Sequence, residues 1–374
     1  MQEMAMVETL QRHAPGAVQI VPGRSADGEY LFSVLVKRSY RIVQGRAAQR
    51  SERDAPLRLT DQYYDNGDPE WSVVEHENEV APFKAASDVV IIGKAHAPQG
   101  QLIEAMAVGV RIGEQQKVLQ VIGDRRCQWR DGAAPVFSDP EPFLEMEIRY
   151  DRAYGGRDEK SDPNLPFFYP RNDMGRGVAL RNVREVVDGL ALPNIEAADD
   201  LLTPERVVIE DPTCWPEQPL PQGLGWRQRT WYPRSALIGS LPPFLQPGTV
   251  TIEERMKLLP PNHVALARQM RLPPFEAQFN NGASLGLVLA SLNGDEAVSL
   301  RGLTREGRLD FQLPGDVPQI TLDLGHGEQL LKTRIHTVSI RPDDLELDIV
   351  SRGTLHFGPA SKLSTLKRLQ AHVQ

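Results

Sequence analysis

Apolar residues along this chain recur mostly in short runs of alternating character, and turn-forming residues separate the runs. In "YLFSVLVKRSYRIV" (30–43), Leu31, Ser33, Leu35 and Lys37 point one way and Phe32, Val34, Val36 and Arg38 the other. Both faces are partly apolar, which predicts a strand largely buried before it reaches Lys37. "DVVIIGKAHAP", "LIEAMAVGVRIG" and "KVLQVIGDRR" follow as three more strands, with turns near "PQGQ" and "GEQQ". They read as an antiparallel meander. The last third repeats the pattern in "ASLGLVLASL", "EAVSLRGL", "RLDFQLP", "QITLDL", "LLKTRIHTVSI" and "LELDIVSRG", which are divided by "NGDE", "TREG", "PGDVP", "GHGE" and "RPDD". Short strands at even spacing predict a mainly β fold, an antiparallel β-sandwich or an open-barrel-like body.

The middle breaks this rhythm. Of the 30 prolines, 18 fall between Glu141 and Asn281, a density that leaves no room for long regular elements. "TIEERMKLL" (251–259) and "HVALARQMRL" (263–272) read as short helices, each closed by a Pro-Pro pair. Near the C-terminus, Leu363, Leu366, Leu369 and Val373 stand at near-helical spacing and predict a short amphipathic helix. Four parts are expected: an N-terminal meander (1–140), a large proline-rich irregular covering segment (141–281), strands that complete the body (282–352), and a tail with the short helix (353–374).

Composition narrows the function. A formal net charge of -8 repels phosphate backbones, so nucleic acid is not an expected partner. No apolar run reaches membrane-spanning length and the first residues show no secretory pattern, so a cytoplasmic protein without a membrane partner is expected. Cys127 and Cys214 share no metal-binding spacing and read as reduced thiols.

The motifs point away from chemistry. "YGGRD" and "MGRGVAL" lack the spacing of a phosphate loop and read as turn glycines. "HENE" groups His76, Glu77 and Glu79, but no HExxH exists and the other histidines are scattered. "YYDNGDPE" (63–70) has the composition of a calcium loop without its spacing, and a turn at Asn66-Gly67 accounts for it. Carboxylate pairs such as Asp199/Asp200 and Asp343/Asp344 lie in expected turns. No catalytic residue, metal or cofactor is expected, although a β-sandwich hydrolase with converging carboxylates stays open as an alternative.

"YDRAYGGRDEKSDPNLPFFYPRNDMGRG" (150–177) is the least regular stretch, and it has few aliphatic groups with which to order itself. Its alternating charges could pin it by ion pairs, and its arginines and aromatics are of the types enriched in protein interfaces. "YDRAYGGRD", "YPRNDMGRG" and "RTWYPR" (229–234) are expected to form one composite protein-binding surface. Its anchors would be Arg152, Tyr154, Arg171, Trp231 and Arg234. The rival role for these side chains is to tie the covering segment to the body.

Several of these pieces recur in one order: "PLRLTDQYY", "EVAPFKAASDVVIIGKAHAPQG", "VIGDRRCQW", "FLEMEIRYDRAYGGRD", "YPRNDMGRGVAL", "LALPNIE", "LPQGLG", "RTWYPR", "LPPFEAQFNNGA" and "LNGDEAVSLRGL". In that order the chain resembles, from about Tyr30 to Arg352, a bacterial family of unknown function, family 2169, associated with type VI secretion systems. It departs from the family's pattern at Asn172-Asp173-Met174-Gly175, Ser351-Arg352 and His336-Thr337-Val338. The resemblance implies an adaptor or chaperone, without a catalytic site, that works in the cytoplasm. Such a protein would bind a toxin effector, often one with a PAAR-like tip domain, stabilise it and help load it onto the spike protein VgrG. An exported structural component of the spike is a further alternative.

Overall fold

A computed structural model of the chain describes residues 17–24, 29–81, 84–238 and 277–373. The expected helices at 251–259 and 263–272 lie outside them. The described residues are mainly β. The principal strands are β1 (Val18–Arg24), β2 (Tyr30–Arg41), β3 (Ser87–Ile91), β4 (Ala105–Ile112), β5 (Gln115–Ile122), β6 (Ile195–Ala197) and β7 (Val288–Leu289). The series continues with β8 (Ala297–Arg301), β9 (Arg308–Gln312), β10 (Ile320–Asp323), β11 (Glu328–Leu331), β12 (Thr333–Arg341), β13 (Glu346–Gly358) and β14 (Gln370–Val373).

The two ends of the chain build one sheet. Its order is β1-β2-β13-β12-β3-β7, with the two-residue strand Gln49–Arg50 on the outer part of β2. β2 runs antiparallel to β13 from Tyr30 opposite Gly358 to Arg41 opposite Glu346, so the body continues past residue 352 into the expected tail. A second sheet has the order β6-β5-β4-β8-β9. Val108, Val110, Leu119, Val298, Leu300 and Phe311 from this sheet share one core with Val89, Ile91, Val338, Ile340, Leu347 and Ile349 from the first. Strict alternation on β8 and β9 fits a sheet with one face in that core and one in water.

The expected N-terminal meander is not one sheet. β4 and β5 form a hairpin in the second sheet, whereas β3 belongs to the first and runs parallel to β12. All five residues of β3 are buried, as befits an interior strand. The first sheet also carries a small sheet, β11-β10-β14, on its other side. There Phe32, Val34 and Val36 meet Ile320, Leu322 and Leu369, which explains why both faces of β2 are apolar. Burial does not stop short of Lys37, as the run suggested. Lys37 is fully buried, and its ammonium donates to both oxygens of Glu79 at 2.8 and 3.0 Å.

The C-terminal amphipathic helix is replaced by a 3-10 turn, Ala360–Thr365, followed by β14 on the edge of β10. From Leu369 onward the apolar positions alternate: Leu369, Ala371 and Val373 pack inward while Gln370 and His372 face out. Ladder hydrogen bonds to β10 outweigh the loose helical spacing of the leucines.

The covering segment has more structure than its prolines suggested. It does not merely lie on the sandwich. Tyr154, Phe167, Tyr169, Val178, Val187 and Trp215 belong to a satellite core built largely from this segment, and β6 joins it to the second sheet. Aromatic area replaces the aliphatic area the stretch lacks. Edge-to-face contacts connect Tyr154 to Tyr169 at 5.2 Å and Tyr169 to Trp215 at 6.4 Å. Residues 225–227 and 282–284 lie side by side in antiparallel register. There Trp226 bridges Ala283, the Arg227 amide donates to the Gly282 carbonyl at 2.7 Å, and the Ser284 amide donates to Gly225 at 3.0 Å.

Candidate protein-binding surface

Backbone conformation brings the three irregular stretches together. Gly155 and Gly156 take φ of +143° and +116°, and a Cβ on Gly155 would lie 2.0 Å from the Asn172 carbonyl oxygen. Only glycine allows "YGGRD" to pass so close to "YPRNDMG". Asn172, fully buried, closes the pair by donating its side-chain amide to the carbonyls of Tyr150 at 2.7 Å and Tyr154 at 3.1 Å. Asp158 anchors the next turn. Burial works against its charge, but donors from Ser161, Leu180 and Lys160 hold its carboxyl below the usual range.

The result is a groove of about 430 Å³ to which all three stretches contribute. Trp71, Arg157, Phe168, Asp173, Met174 and Trp231 are among its walls. The Arg157 guanidinium lies between two rings, 4.3 Å from the centre of Trp71 and 5.2 Å from that of Phe168. It donates to Asp173 and to the Glu70 carbonyl, both at 2.8 Å. The other carboxyl oxygen of Asp173 accepts from the Trp231 indole at 2.8 Å, and Trp231 packs edge-to-face on Tyr150 at 5.3 Å. Trp71 is 63% exposed, so a large aromatic face stays in water while its neighbours hold it in place.

The five expected anchors divide. Tyr154 and Arg234 are each 1% exposed and Trp231 is 3% exposed, so these three stand as interior groups and not as surface anchors. Tyr154 is packed in the satellite core. Trp231 backs the groove. Arg234 is buried in an ion pair with Glu77 at 2.6 Å and donates to the Phe279 carbonyl at 2.9 and 3.1 Å. A guanidinium this deep would be costly without such partners, and its burial follows from a carboxylate 157 residues away in sequence. Arg152 and Arg171 are partly exposed but away from the groove. Arg152 lies 3.6 Å from Asp124 and bonds Asn194, and Arg171 stacks on Trp215 at 4.9 Å. The mixed charges of the stretch pair internally at Arg157–Asp173, while Arg152 and Arg176 reach outward to Asp124 and Asn194. The expected anchors leave out Trp71, Arg157, Phe168 and Met174, although Arg157 and Phe168 belong to the arginines and aromatics that marked the stretch. Arg157, Phe168 and Met174 lie inside the stretch singled out; Trp71 lies outside it, beside a turn, with no pattern to mark it.

Other constellations serve the fold. "HENE" is split among partners: Glu77 pairs with Arg234 and Glu79 with Lys37. Burial, with Arg58 and Arg341 nearby, pushes His76 down to about 3, so it is neutral at physiological pH. At "YYDNGDPE" the left-handed residues are Asp65 and Asn66, at φ of +58° and +50°, one position earlier than the expected turn. No cluster of three or more His, Cys, Asp or Glu suited to a metal occurs among the described residues. Burial pushes the Cys127 thiol up to about 12.

Two polar groups resemble catalytic sets. Ser284, fully buried, donates to the Gly223 carbonyl at 2.5 Å and accepts from Lys117 at 2.7 Å and Tyr150 at 3.0 Å. Burial, aided by Arg227, pushes the Lys117 ammonium down to about 7. The hydroxyl has one donor and two acceptor sites, and all three are engaged within the protein. His96 lies in a groove of about 700 Å³ with its Nε2 2.7 Å from Asp343 and its Nδ1 3.6 Å from Glu145. The Nε2–Asp343 contact is a hydrogen bond, whereas Nδ1 and Glu145 are too far apart to form one.

Fold and groove define a β-sandwich protein with an elaborated, aromatic-lined covering segment. Over residues 27–352 the chain matches the model of a family described as an uncharacterized protein conserved in bacteria (DUF2169), and it belongs to that family. No curated protein and no solved structure matches it. Among the described residues, no helix is long and apolar enough to cross a membrane.

Proposed function

We propose that this protein is a non-catalytic adaptor or chaperone of the bacterial cytoplasm. It would bind a type VI secretion toxin effector, of the kind that often carries a PAAR-like tip domain, and help to stabilise it and load it onto VgrG. The secretion setting rests on the resemblance described above. The observation that carries a binding role is the Trp71–Arg157–Phe168 stack at the mouth of the groove. Trp and Arg are the types that most often dominate binding energy, and Met adapts to a partner's shape. A pre-ordered tryptophan loses little freedom on contact, which favours affinity.

The test pairs the purified protein with the effectors encoded beside its gene. Trp71→Ala should weaken binding by about 2 kcal/mol, roughly 30-fold in Kd, with an unchanged melting temperature. Deleting the gene should lower effector protein without lowering its transcript. Undiminished effector level, solubility and secretion in the deletion strain would overturn the chaperone reading. Normal binding by Trp71→Ala would remove the groove from it.

A further inference from the structure

A second cleft, at the foot of β12 and β13, has a different character. It encloses about 530 Å³, within the range of small-molecule sites. Lys84, Lys332, Arg334, His336 and Arg352 line it, and none of its described lining residues is a carboxylate. The protein as a whole carries a formal charge of -8, so this concentration of cations runs against the average surface.

The strand register puts like charges together. Arg334 on β12 stands directly opposite Arg352 on β13. Such cross-strand pairs repel. Burial, and then Arg334, push the Arg352 guanidinium down to about 10. Lys332 and Arg334 are exposed and have no ion-pair partner among the described residues. Lys84 forms the floor and is already balanced by Asp88 at 2.6 Å. Of the acids on adjoining turns, Asp295 is exposed to solvent and two others are committed elsewhere. Glu296 accepts from the amides of Asn293 and Gly294, and Asp316 pairs with Arg38 and accepts from Tyr40.

The cleft is also built around an irregularity. The β12–β13 ladder shifts register between Ile335 and Thr337, which sets His336 in a bulge. Its imidazole is buried, and Nε2 has no hydrogen-bond partner in the described residues. Burial holds this ring neutral, ahead of the repulsion from Lys84 and Arg352, while the Ala81 backbone pulls weakly the other way. A buried ring nitrogen without a partner costs free energy, and bulges often re-aim a side chain at a site.

We propose that this cleft binds a small polyanionic ligand through its phosphate or carboxylate oxygens, with Arg334, Arg352 and Lys332 as the anion-contacting groups. Arg352 already donates to the Lys84 carbonyl at 3.4 Å, and an oxyanion held beside it and Arg334 would offset their mutual repulsion. The proposal does not depend on the adaptor reading and is tested on the isolated full-length protein.

Calorimetric titration with inorganic pyrophosphate and, separately, with citrate distinguishes the two sources of the oxyanion. At least one should bind at a single site, and the tighter one names the class. Arg334→Gln and Lys332→Gln alter exposed side chains, and each should weaken that binding tenfold or more with unchanged melting. Arg305→Gln removes an 80% exposed arginine at the His96 groove and should leave binding as it is. Absence of heat with both probes, wild-type affinity in both cleft variants, or an equal loss in Arg305→Gln would overturn the proposal.

Discussion

The sandwich and its covering segment are stabilised in opposite ways. In the sandwich, aliphatic side chains from two sheets fill one core, and the strands keep their period over many residues. In the covering segment, regular strands are two or three residues long, and single polar groups hold the chain: Asn172, Asp158, Asn194 and Arg234 each satisfy several backbone or charged groups at once. The first design spreads stability over many small contributions. The second concentrates it in few groups whose loss leaves several partners buried and unpaired.

That contrast can be broken by experiment. The largest effect is expected at Arg234. Arg234→Ala leaves Glu77 buried with only the longer 3.5 Å contact to Arg229, and should cost about 3–5 kcal/mol in urea denaturation. A cost below about 1 kcal/mol would show that the pair is replaceable and the contrast overstated. Asn172→Ala should come next, at about 2 kcal/mol, because the Tyr150 and Tyr154 carbonyls lose their shared donor. Thermal melting of this variant against Val90→Ala in the sandwich core sharpens the comparison. The two should cost similar amounts although one removes a polar group and the other only methyls.

A smaller, pH-dependent effect belongs to His76. Its folded pKa of about 3 lies below the ordinary 6.5, so the unfolded chain binds the extra proton between these values. Stability from this group is therefore complete above about pH 6.5 and is lost as pH falls towards 3. His76→Gln should flatten the acid limb of the stability profile, and an unchanged slope would refute the assignment. The smallest effect on stability, within about 0.5 kcal/mol, is expected for Trp71→Ala, since its ring is mostly in water.

The same contrast decides what could be read from sequence. Periods are local, so β2, β4, β5, β8 and β9 were legible from alternation and turns, as was the β-rich body. Pairing is not local. Nothing in "DVVII" says that β3 runs parallel to a strand some 250 residues later. Lys37 looked like the end of a buried run because its partners, Glu79 and Asp348, are distant in the chain. Arg234 and Tyr154 looked like interface residues for the same reason: the groups that make their burial favourable are invisible until the chain folds. The three stretches expected to converge do converge at one groove, but the sequence could not say which of their side chains would face outward.

The antiparallel pairing of 225–227 with 282–284, reinforced by Arg234 on the Phe279 carbonyl, has a practical corollary. Closed by its own hydrogen bonds, the neck fixes the separation of its two flanks, so a pair of spectroscopic labels at residues 227 and 282 would report its opening as a single distance.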